Sequence, residues 1–313
     1  MSAPEEKRYY QYSRYLKELF GQKVYKVTLD AGFSCPNRDG AISSGGCIFC
    51  DASGSFSCAH DNKLSIKEQL HIGIENQRKR FGAQKFISYL QAYTNTYGSI
   101  EHLEDVYSQA LSHEDVVGIS IGTRPDCVDE SKISLISSYA KDYETWIEYG
   151  LQSSNNNTLK FINRGHTVED FIRAVEMTKN KGIKICAHVI LGLPEETEKD
   201  ALNTARLLAS LGVDGVKIHL LCVLKNTKLE QMYNNKEISL LSKDEYVGVV
   251  CDFLEELPPS MTIHRLAGNG LKKILVAPRW LSDKFEVLTA IDNELEKRES
   301  YQGKNFSSCI PGV

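Results

Sequence analysis

The 313-residue chain has no long apolar run and no large excess of charge of either sign. No stretch reaches the ~20 apolar residues of a membrane-spanning helix, so we expect a protein without a membrane partner. The polar residues Met1 to Arg8 lack the apolar core of a secretory signal, which favours a cytoplasmic location. The net charge of −4 gives no overall nucleic-acid-binding signature. A Gly-rich phosphate loop of the Walker type is also missing.

Cysteine, in contrast, is abundant and unevenly placed. Cys35, Cys47 and Cys50 form a C-x11-C-x2-C pattern whose gap is filled by glycine and polar residues, as in a loop. Three states suit such a loop. The thiolates can hold an iron–sulfur cluster, they can bind a zinc ion together with Cys58 or His60, or two of the thiols can form a disulfide. The disulfide is disfavoured, because the nine cysteines are an odd number and no secretory signal precedes them. Between the two metal sites the cluster is favoured, as the more frequent use of this type of motif.

Strand and helix patterns alternate along the chain. Apolar strand patterns occur at residues 23–29, 86–93, 116–121, 145–151, 183–191 and 213–222. Amphipathic helix patterns, most of them opened by a Ser or Thr cap, occur at residues 65–80, 99–111, 130–139, 167–181, 197–212 and 242–257. Such units predict parallel strands joined by right-handed crossovers.

The predicted fold class is therefore α/β, a partial (β/α)6 TIM-type barrel with N- and C-terminal extensions. The barrel is predicted at residues 23–257, the N-terminal extension at 1–22 and the C-terminal extension, packing on the barrel, at 258–313. A helix is expected within residues 5–22, a further strand at 262–266 and a last helix at 283–298. The cysteine loop follows the first strand and so lies on the face that carries the active site in such barrels.

Several segments resemble radical S-adenosylmethionine (radical SAM) enzymes. Phe49 precedes the last cysteine, as an aromatic does in the family's C-x3-C-x2-C motif, although the C-x11 gap is longer. EYGLQS at 148–153 and NRGHT at 163–167 resemble the E-x-G-x-Q-S…N-R-G-H-T signature of elongator-like and coproporphyrinogen-oxidase-like members. Residues 192–197 resemble the family's G-L-P-x-E-T segment.

Further segments narrow the resemblance to the bacterial YhcC/YtqA-type group, in the branch of the catalytic subunit of elongator. These segments are CPNRDG at 35–40, QAYTNTY at 91–97, GTRPD at 122–126, APRW at 277–280 and the tail 290–303. The resemblance covers roughly residues 23–303.

The resemblance implies that Cys35, Cys47 and Cys50 ligate a 4Fe–4S cluster whose open iron chelates S-adenosylmethionine. It implies cofactor contacts by residues of the same barrel face, namely Phe49, Thr94, Asn95, Glu148, Gln152, Arg164, Leu191 and Gly192. Candidates to line the barrel mouth and touch substrate are Tyr93, Arg124, Asp126, His188, Lys217, His219 and His264. Plainer interpretations stay open: Glu148 suits a buried ion pair, Asn95 a turn, and any single histidine a structural hydrogen bond.

The resemblance also implies a substrate. Elongator-like relatives act on the wobble uridine of tRNA, and the implied step converts 5-carboxymethylaminomethyluridine to 5-aminomethyluridine. A reductant such as flavodoxin or ferredoxin and a downstream methyltransferase are the implied partners. A radical SAM enzyme acting on a small molecule or peptide, and a non-enzymatic zinc-stapled RNA-binding module, are the alternatives.

A basic cluster near the C-terminus gives mixed support for RNA binding. Lys272, Lys273, Arg279 and Lys284 surround Trp280, a pattern that suits phosphate contacts and base stacking. A solvated surface over a core tryptophan explains the same pattern, in keeping with the acidic net charge.

Overall fold

The structure, a computed structural model, describes residues 7–51, 54, 64–268 and 273–307. Its strands are β1 (Val24–Leu29), β2 (Lys85–Leu90), β3 (Val116–Thr123), β4 (Glu144–Gln152), β5 (Lys184–Leu191), β6 (Gly215–Leu220), β7 (Val223–Leu224), β8 (Thr262–Arg265) and β9 (Leu275–Ala277). Seven of them form one parallel sheet in the order β1-β2-β3-β4-β5-β6-β8, curled into a half-barrel, and β7 pairs antiparallel with β9.

Helices cover the outer side of this sheet. They are α1 (Tyr12–Phe20), α2 (Ile66–Phe81), α3 (Ile100–Ala110), α4 (Glu130–Tyr139), α5 (Asn156–Phe161), α6 (Val168–Thr178), α7 (Glu198–Ser210), α8 (Lys228–Asn234), α9 (Lys243–Glu255) and α10 (Lys284–Lys297). Reciprocal capping boxes begin α2, α6, α7 and α9, where side chain and backbone satisfy each other's first-turn hydrogen bonds. None of the described helices is long and apolar enough to cross a membrane.

The predicted fold class is confirmed, with small differences at element ends. The strand at 262–265 pairs with β6, so the sheet continues past residue 257, and the predicted domain boundaries stay a prediction. β2 ends at Leu90, because the Asn95 side chain then donates hydrogen bonds to three carbonyls and turns the chain. Helix α6 ends at Thr178 rather than 181, and the six-residue α5 is too short to leave a periodic signal.

The two faces of the curved sheet differ in polarity because side chains alternate along each strand. The outer face packs apolar residues under the helices, for example Leu29, Ile119, Ile147, Ile185 and Ile218. The inner face carries a polar row, which includes Lys26, Tyr89, Ser120, Glu148, His188 and Lys217. A barrel interior lined in this way is a binding site rather than a packed core.

Helix α1 packs against β1 and β8. Tyr12 stacks on His264 with ring centroids 3.8 Å apart and meets Trp146 edge-on at 5.3 Å. Gln11 forms a bridge to Ile263 beside the last strand. This packing buries Tyr12 of α1 against the barrel.

Candidate active site

A cavity of about 260 Å³ lies at the carboxyl ends of the strands, beside the cysteine loop. Its polar and sulfur-bearing walls include Cys35, Cys47, Cys50, Arg38, Tyr93, Thr94, Arg124, Glu148, Gln152, Arg164, His188, Lys217, His219 and Arg265. Phe49, Ile190, Leu220, Leu221 and Leu224 supply apolar walls. The structure therefore brings residues from the cysteine loop, from the turn after β2 and from β3 to β8 to one half-open cavity.

Three hydrogen-bond donors surround the cysteine sulfurs. Asn37 Nδ2 lies 3.6 Å from Cys47 Sγ, Arg164 Nη1 lies 3.6 Å from the same sulfur, and Arg38 Nη1 lies 3.5 Å from Cys50 Sγ. Burial and the neighbouring Cys47 raise the pKa of Cys50 to about 11, whereas Arg38 acts in the opposite direction and favours the thiolate, the form that ligates metals. The loop thus gathers thiols and the donors that can hydrogen-bond to metal-bound sulfur.

The cysteine loop is held by the segment that follows α5. Asn37 Nδ2 donates to the Asn163 carbonyl at 2.6 Å, and Asn163 Nδ2 returns a hydrogen bond to the Gly46 carbonyl at 2.8 Å. The Ile48 amide donates to the Ile162 carbonyl at 3.1 Å. Two motifs more than 100 residues apart, C-P-N-R and N-R-G, therefore form one structural unit.

The three thiols fit a multi-iron cluster better than a single zinc ion or a disulfide. Cys35, Cys47 and Cys50, all among the described residues, are free, and their Sγ atoms do not all lie within 4.8 Å of one another. Tetrahedral zinc with bonds of ~2.3 Å would hold sulfurs about 3.8 Å apart. A cluster of several irons spans the wider spacing and needs only thiolates. Cys58 and His60, the predicted extra zinc ligands, lie outside the described residues.

Groups suited to a polar cofactor flank the cysteines. Thr94 Oγ1 is buried on the cavity side and has no hydrogen-bond partner among the described residues. Arg164 donates to the Gly150 carbonyl at 2.8 Å, which aims its guanidinium into the cavity. Gln152 lines the cavity with φ +77°, in the left-handed region that non-glycine residues rarely adopt. Holding S-adenosylmethionine with these residues stays a prediction.

Some predicted site residues lie away from the cavity wall. Asn95 is fully buried in the turn after β2, and Asp126 forms an ion pair with Arg124 at 2.9 Å. His264 lies behind the wall, in the stack with Tyr12. Ile190, rather than the predicted Leu191 or Gly192, reaches the cavity. Their predicted contacts to cofactor or substrate remain untested predictions.

Glu148 lies at the centre of a buried ion-pair network. Lys26 Nζ is 2.7 Å from Oε1, while Lys217 Nζ and His188 Nε2 are 2.9 and 2.7 Å from Oε2. Burial alone would raise the pKa of Glu148, but Lys217, Lys26 and the His188 hydrogen bond hold it well below its usual range. Burial and Lys217 lower the pKa of His188 to about 4, so the neutral ring donates to the carboxylate.

Sequence reasoning missed three cationic residues of the cavity or of the Glu148 network. Arg38 lies within the quoted motif C-P-N-R, and its contact with a cysteine sulfur gives no sequence signal. Lys26 occupies a polar position of an alternating strand, which resembles a solvent-facing position. The signal that could have identified it is a lysine at a position that faces the inside of the barrel. Arg265 lies on the last strand of the sheet and lines the cavity.

The predicted basic cluster is only partly within the described chain. Lys272 lies outside the described residues, whereas Lys273 and Arg279 are exposed. Trp280 is half-buried, with its ring 5.8 Å from that of Tyr246. This packing matches the core-tryptophan interpretation and leaves the lysine and arginine available to solvent.

A carboxylic acid in the G-L-P-x-E-T segment makes stability depend on pH. Glu196 accepts a hydrogen bond from Ser153, and burial raises its pKa from 4.5 to about 7. Because the folded pKa is the higher one, its contribution to stability is full below pH 4.5 and is lost as the pH rises through 7. We expect Glu196→Gln to reduce the loss of unfolding free energy between pH 5 and 8 by roughly 1–3 kcal/mol in urea titrations.

The control for this prediction is the exposed Glu176→Gln, whose side chain is 56% exposed. It should leave the pH dependence as in the unmodified protein. A wild-type protein that is equally stable at both pH values would contradict the assigned ionisation of Glu196.

Comparisons with known proteins agree with this geometry. A model described as the radical SAM superfamily matches residues 39–208, and one described as the radical SAM C-terminal domain matches 213–297. Bacillus subtilis YtqA is 42% identical over 301 residues, 96% of this chain and 94% of YtqA. The resemblance to the YhcC/YtqA-type group is thereby confirmed.

Two more distant matches come from Methanocaldococcus infernus. Its tRNA uridine(34) acetyltransferase is 32% identical over 137 residues, 43% of this chain and 25% of that protein. The solved structure of its Elp3, with an N-terminal deletion, has a TM-score of 0.67 at 20% identity and covers 89% of this chain and 64% of that one. At this identity the structural match shows a shared fold. The protein therefore belongs to the radical SAM superfamily and is an enzyme that uses a 4Fe–4S cluster and S-adenosylmethionine.

Proposed function

We propose that the enzyme modifies the wobble uridine of tRNA, converting 5-carboxymethylaminomethyluridine to 5-aminomethyluridine. The observation that carries the proposal is the segment shared with a protein whose name specifies uridine 34 of tRNA. The half-open cavity supports it, because a volume of about 260 Å³ admits a base substituent but not a folded RNA. The RNA then lies on the outside and extends one nucleotide inward.

The conversion balances as a two-electron oxidation. When bound, the cluster and S-adenosylmethionine would supply a hydrogen-atom acceptor, the 5′-deoxyadenosyl radical, and a one-electron acceptor. The carboxymethyl carbon of the substrate would give a hydrogen atom to the first and an electron to the second, which leaves an iminium. Water adds to the iminium, and the C–N bond breaks. The products are the aminomethyl nucleoside, glyoxylate and a proton, besides methionine and 5′-deoxyadenosine.

The chain's own residues would bind and orient these groups. Cys35, Cys47 and Cys50 would hold the cluster, while Arg164 and the Thr94 hydroxyl, which has no hydrogen-bond partner among the described residues, would face the polar end of S-adenosylmethionine. Apolar residues such as Leu220 and Leu221 exclude stray hydrogen donors. We further propose a cytoplasmic location, a flavodoxin or ferredoxin as reductant, and a methyltransferase that accepts the amine.

Nucleoside analysis of tRNA tests the proposal. Reconstituted enzyme is incubated with S-adenosylmethionine, dithionite and tRNA rich in 5-carboxymethylaminomethyluridine, and the digested nucleosides are separated by mass spectrometry. We expect 5-aminomethyluridine and glyoxylate in equal amounts, and neither when S-adenosylmethionine is omitted. An unchanged nucleoside profile, with turnover of a small molecule in the absence of RNA, would instead favour the small-molecule or peptide alternative.

A further inference from the structure

Two cationic side chains lie side by side on the last two strands of the sheet. A register shift between Val216 and Lys217 skips one residue of β8, so Arg265 becomes the direct partner of Lys217. On the next strand, His188 is the partner of Lys217, and all three residues line the cavity. Like charges at directly opposed strand positions are unfavourable unless a counter-ion joins them. The pairing therefore concentrates positive charge on this side of the cavity.

Arg265 makes no hydrogen bond or ion pair with any residue that the structure describes. Lys217 already shares the Glu148 carboxylate with Lys26 and also contacts the Tyr89 hydroxyl. One carboxylate thus serves two ammonium groups, and the half-buried guanidinium remains uncompensated.

The other cations of the cavity are accounted for elsewhere. Arg38 and Arg164 contact the cysteine sulfurs, and Arg124 pairs with Asp126. Glu148 is the single carboxylate among the described lining residues. The positive excess is therefore concentrated around Arg265, at the side of the cavity formed by β6 and β8.

Two further observations support an anion here. Burial, opposed by Glu148 but reinforced by Arg265 and Lys26, lowers the pKa of Lys217 to about 8, as expected in a net positive field. His219 Nε2 also lines this region, is buried and has no hydrogen-bond partner among the described residues. A metal ion on Glu148, Cys186 and His188 is disfavoured, because two ammonium groups already contact that carboxylate.

We propose that Arg265, Lys217 and His219 form an anion site that binds a carboxylate of the substrate. The inference rests on the proposed function, in which the departing carboxymethyl group carries such a carboxylate. The planar guanidinium of Arg265 matches the two carboxylate oxygens, and the free Nε2 of His219 adds a third contact. Arg265 is a specificity residue: a substrate without the carboxylate leaves it unpaired, which disfavours binding.

Binding measurements on the reconstituted, S-adenosylmethionine-loaded enzyme test the site. The probes are tRNA anticodon stem-loops whose wobble uridine carries a carboxymethylaminomethyl, an aminomethyl or no substituent. We expect the carboxylated loop to bind at least ~10-fold more tightly than the other two. Arg265→Met should remove this difference, and Arg265→Lys should retain part of it. Iron content and affinity for S-adenosylmethionine should not change.

The controls separate the possible sources of the anion. Arg173→Met, at an arginine that is 67% exposed, should leave all affinities unchanged. Weaker S-adenosylmethionine binding by Arg265→Met would assign Arg265 to the methionyl carboxylate, and equal weakening for all three loops would assign it to an RNA phosphate. Either result, or equal affinity of the wild type for the three loops, overturns the proposal.

A separate experiment tests the anion site independently of the proposed tRNA substrate. If the wild type binds and converts none of the loops, the proposed function fails, and calorimetry with N-methylglycine tests the site alone. Saturable heat that Arg265→Met abolishes would support a carboxylate site for another substrate. No heat with the wild type would overturn the anion site as well.

Discussion

Replacing Cys47 with alanine is expected to lower the iron content from about four per chain to less than one and to abolish cleavage of S-adenosylmethionine. Cys47 is buried and accepts contacts from both Asn37 and Arg164, so no other thiol can replace it without moving the loop. Iron analysis and the visible spectrum of anaerobically purified protein measure the effect.

The matched control is Cys222→Ala. Cys222 is also a free thiol on the wall of the same cavity, but it lies outside the loop. We expect this variant to keep its iron and brown colour. Equal iron loss in the two variants would show that Cys222 is a fourth ligand, and a colourless wild-type protein with one zinc would contradict the cluster.

The substitution Gly150→Ala is expected to weaken binding of S-adenosylmethionine at least ~10-fold, equivalent to about 1.4 kcal/mol, while iron content stays near the wild-type value. A Cβ at this position would lie 2.5 Å from Arg164 Nη2 and 2.8 Å from Gln152 Nε2. Both side chains must therefore shift, and both belong to the predicted cofactor contacts. Equilibrium binding to the reconstituted protein measures the change.

Gly248→Ala provides the control for this substitution. Gly248 lies within α9, and the nearest atom to an added Cβ is Arg298 Nη2 at 3.6 Å, an ordinary contact. Alanine is the better helix former, so a gain of about 0.5–1 kcal/mol in stability and unchanged cofactor binding are expected. Unaltered cofactor affinity in Gly150→Ala would show that Arg164 and Gln152 do not hold the cofactor.

The features that were predictable from the sequence are local ones. Alternating apolar residues placed β1 to β6, and Ser or Thr caps placed the starts of α2, α6 and α9, because both signals depend on neighbours a few residues away. The cysteine loop was equally predictable, since Cys35, Cys47 and Cys50 lie close together in the sequence. The motif pair E-x-G-x-Q-S and N-R-G-H-T likewise marked Gln152 and Arg164 at the cavity.

The features that were not predictable depend on contacts between distant segments. The pairing of Arg265 with Lys217 follows from a one-residue register shift, which has no signature in an apolar–polar pattern. Glu148 is shared by side chains from three other strands, so its ion-pair network appears only when the barrel closes. The sequence predicts His264 at the mouth of the barrel, but its ring packs against those of Tyr12 and Trp146 and does not line the cavity.

The most direct test of the proposed chemistry follows one hydrogen isotope. Reconstituted enzyme, S-adenosylmethionine and a reductant are mixed with tRNA whose 5-carboxymethylaminomethyluridine carries deuterium on the carboxymethyl carbon. We predict that the 5′-deoxyadenosine formed contains one deuterium and that its amount matches the 5-aminomethyluridine produced. Unlabelled 5′-deoxyadenosine, formed at the same rate with and without this tRNA, would contradict the assignment of both the substrate and the reacting carbon.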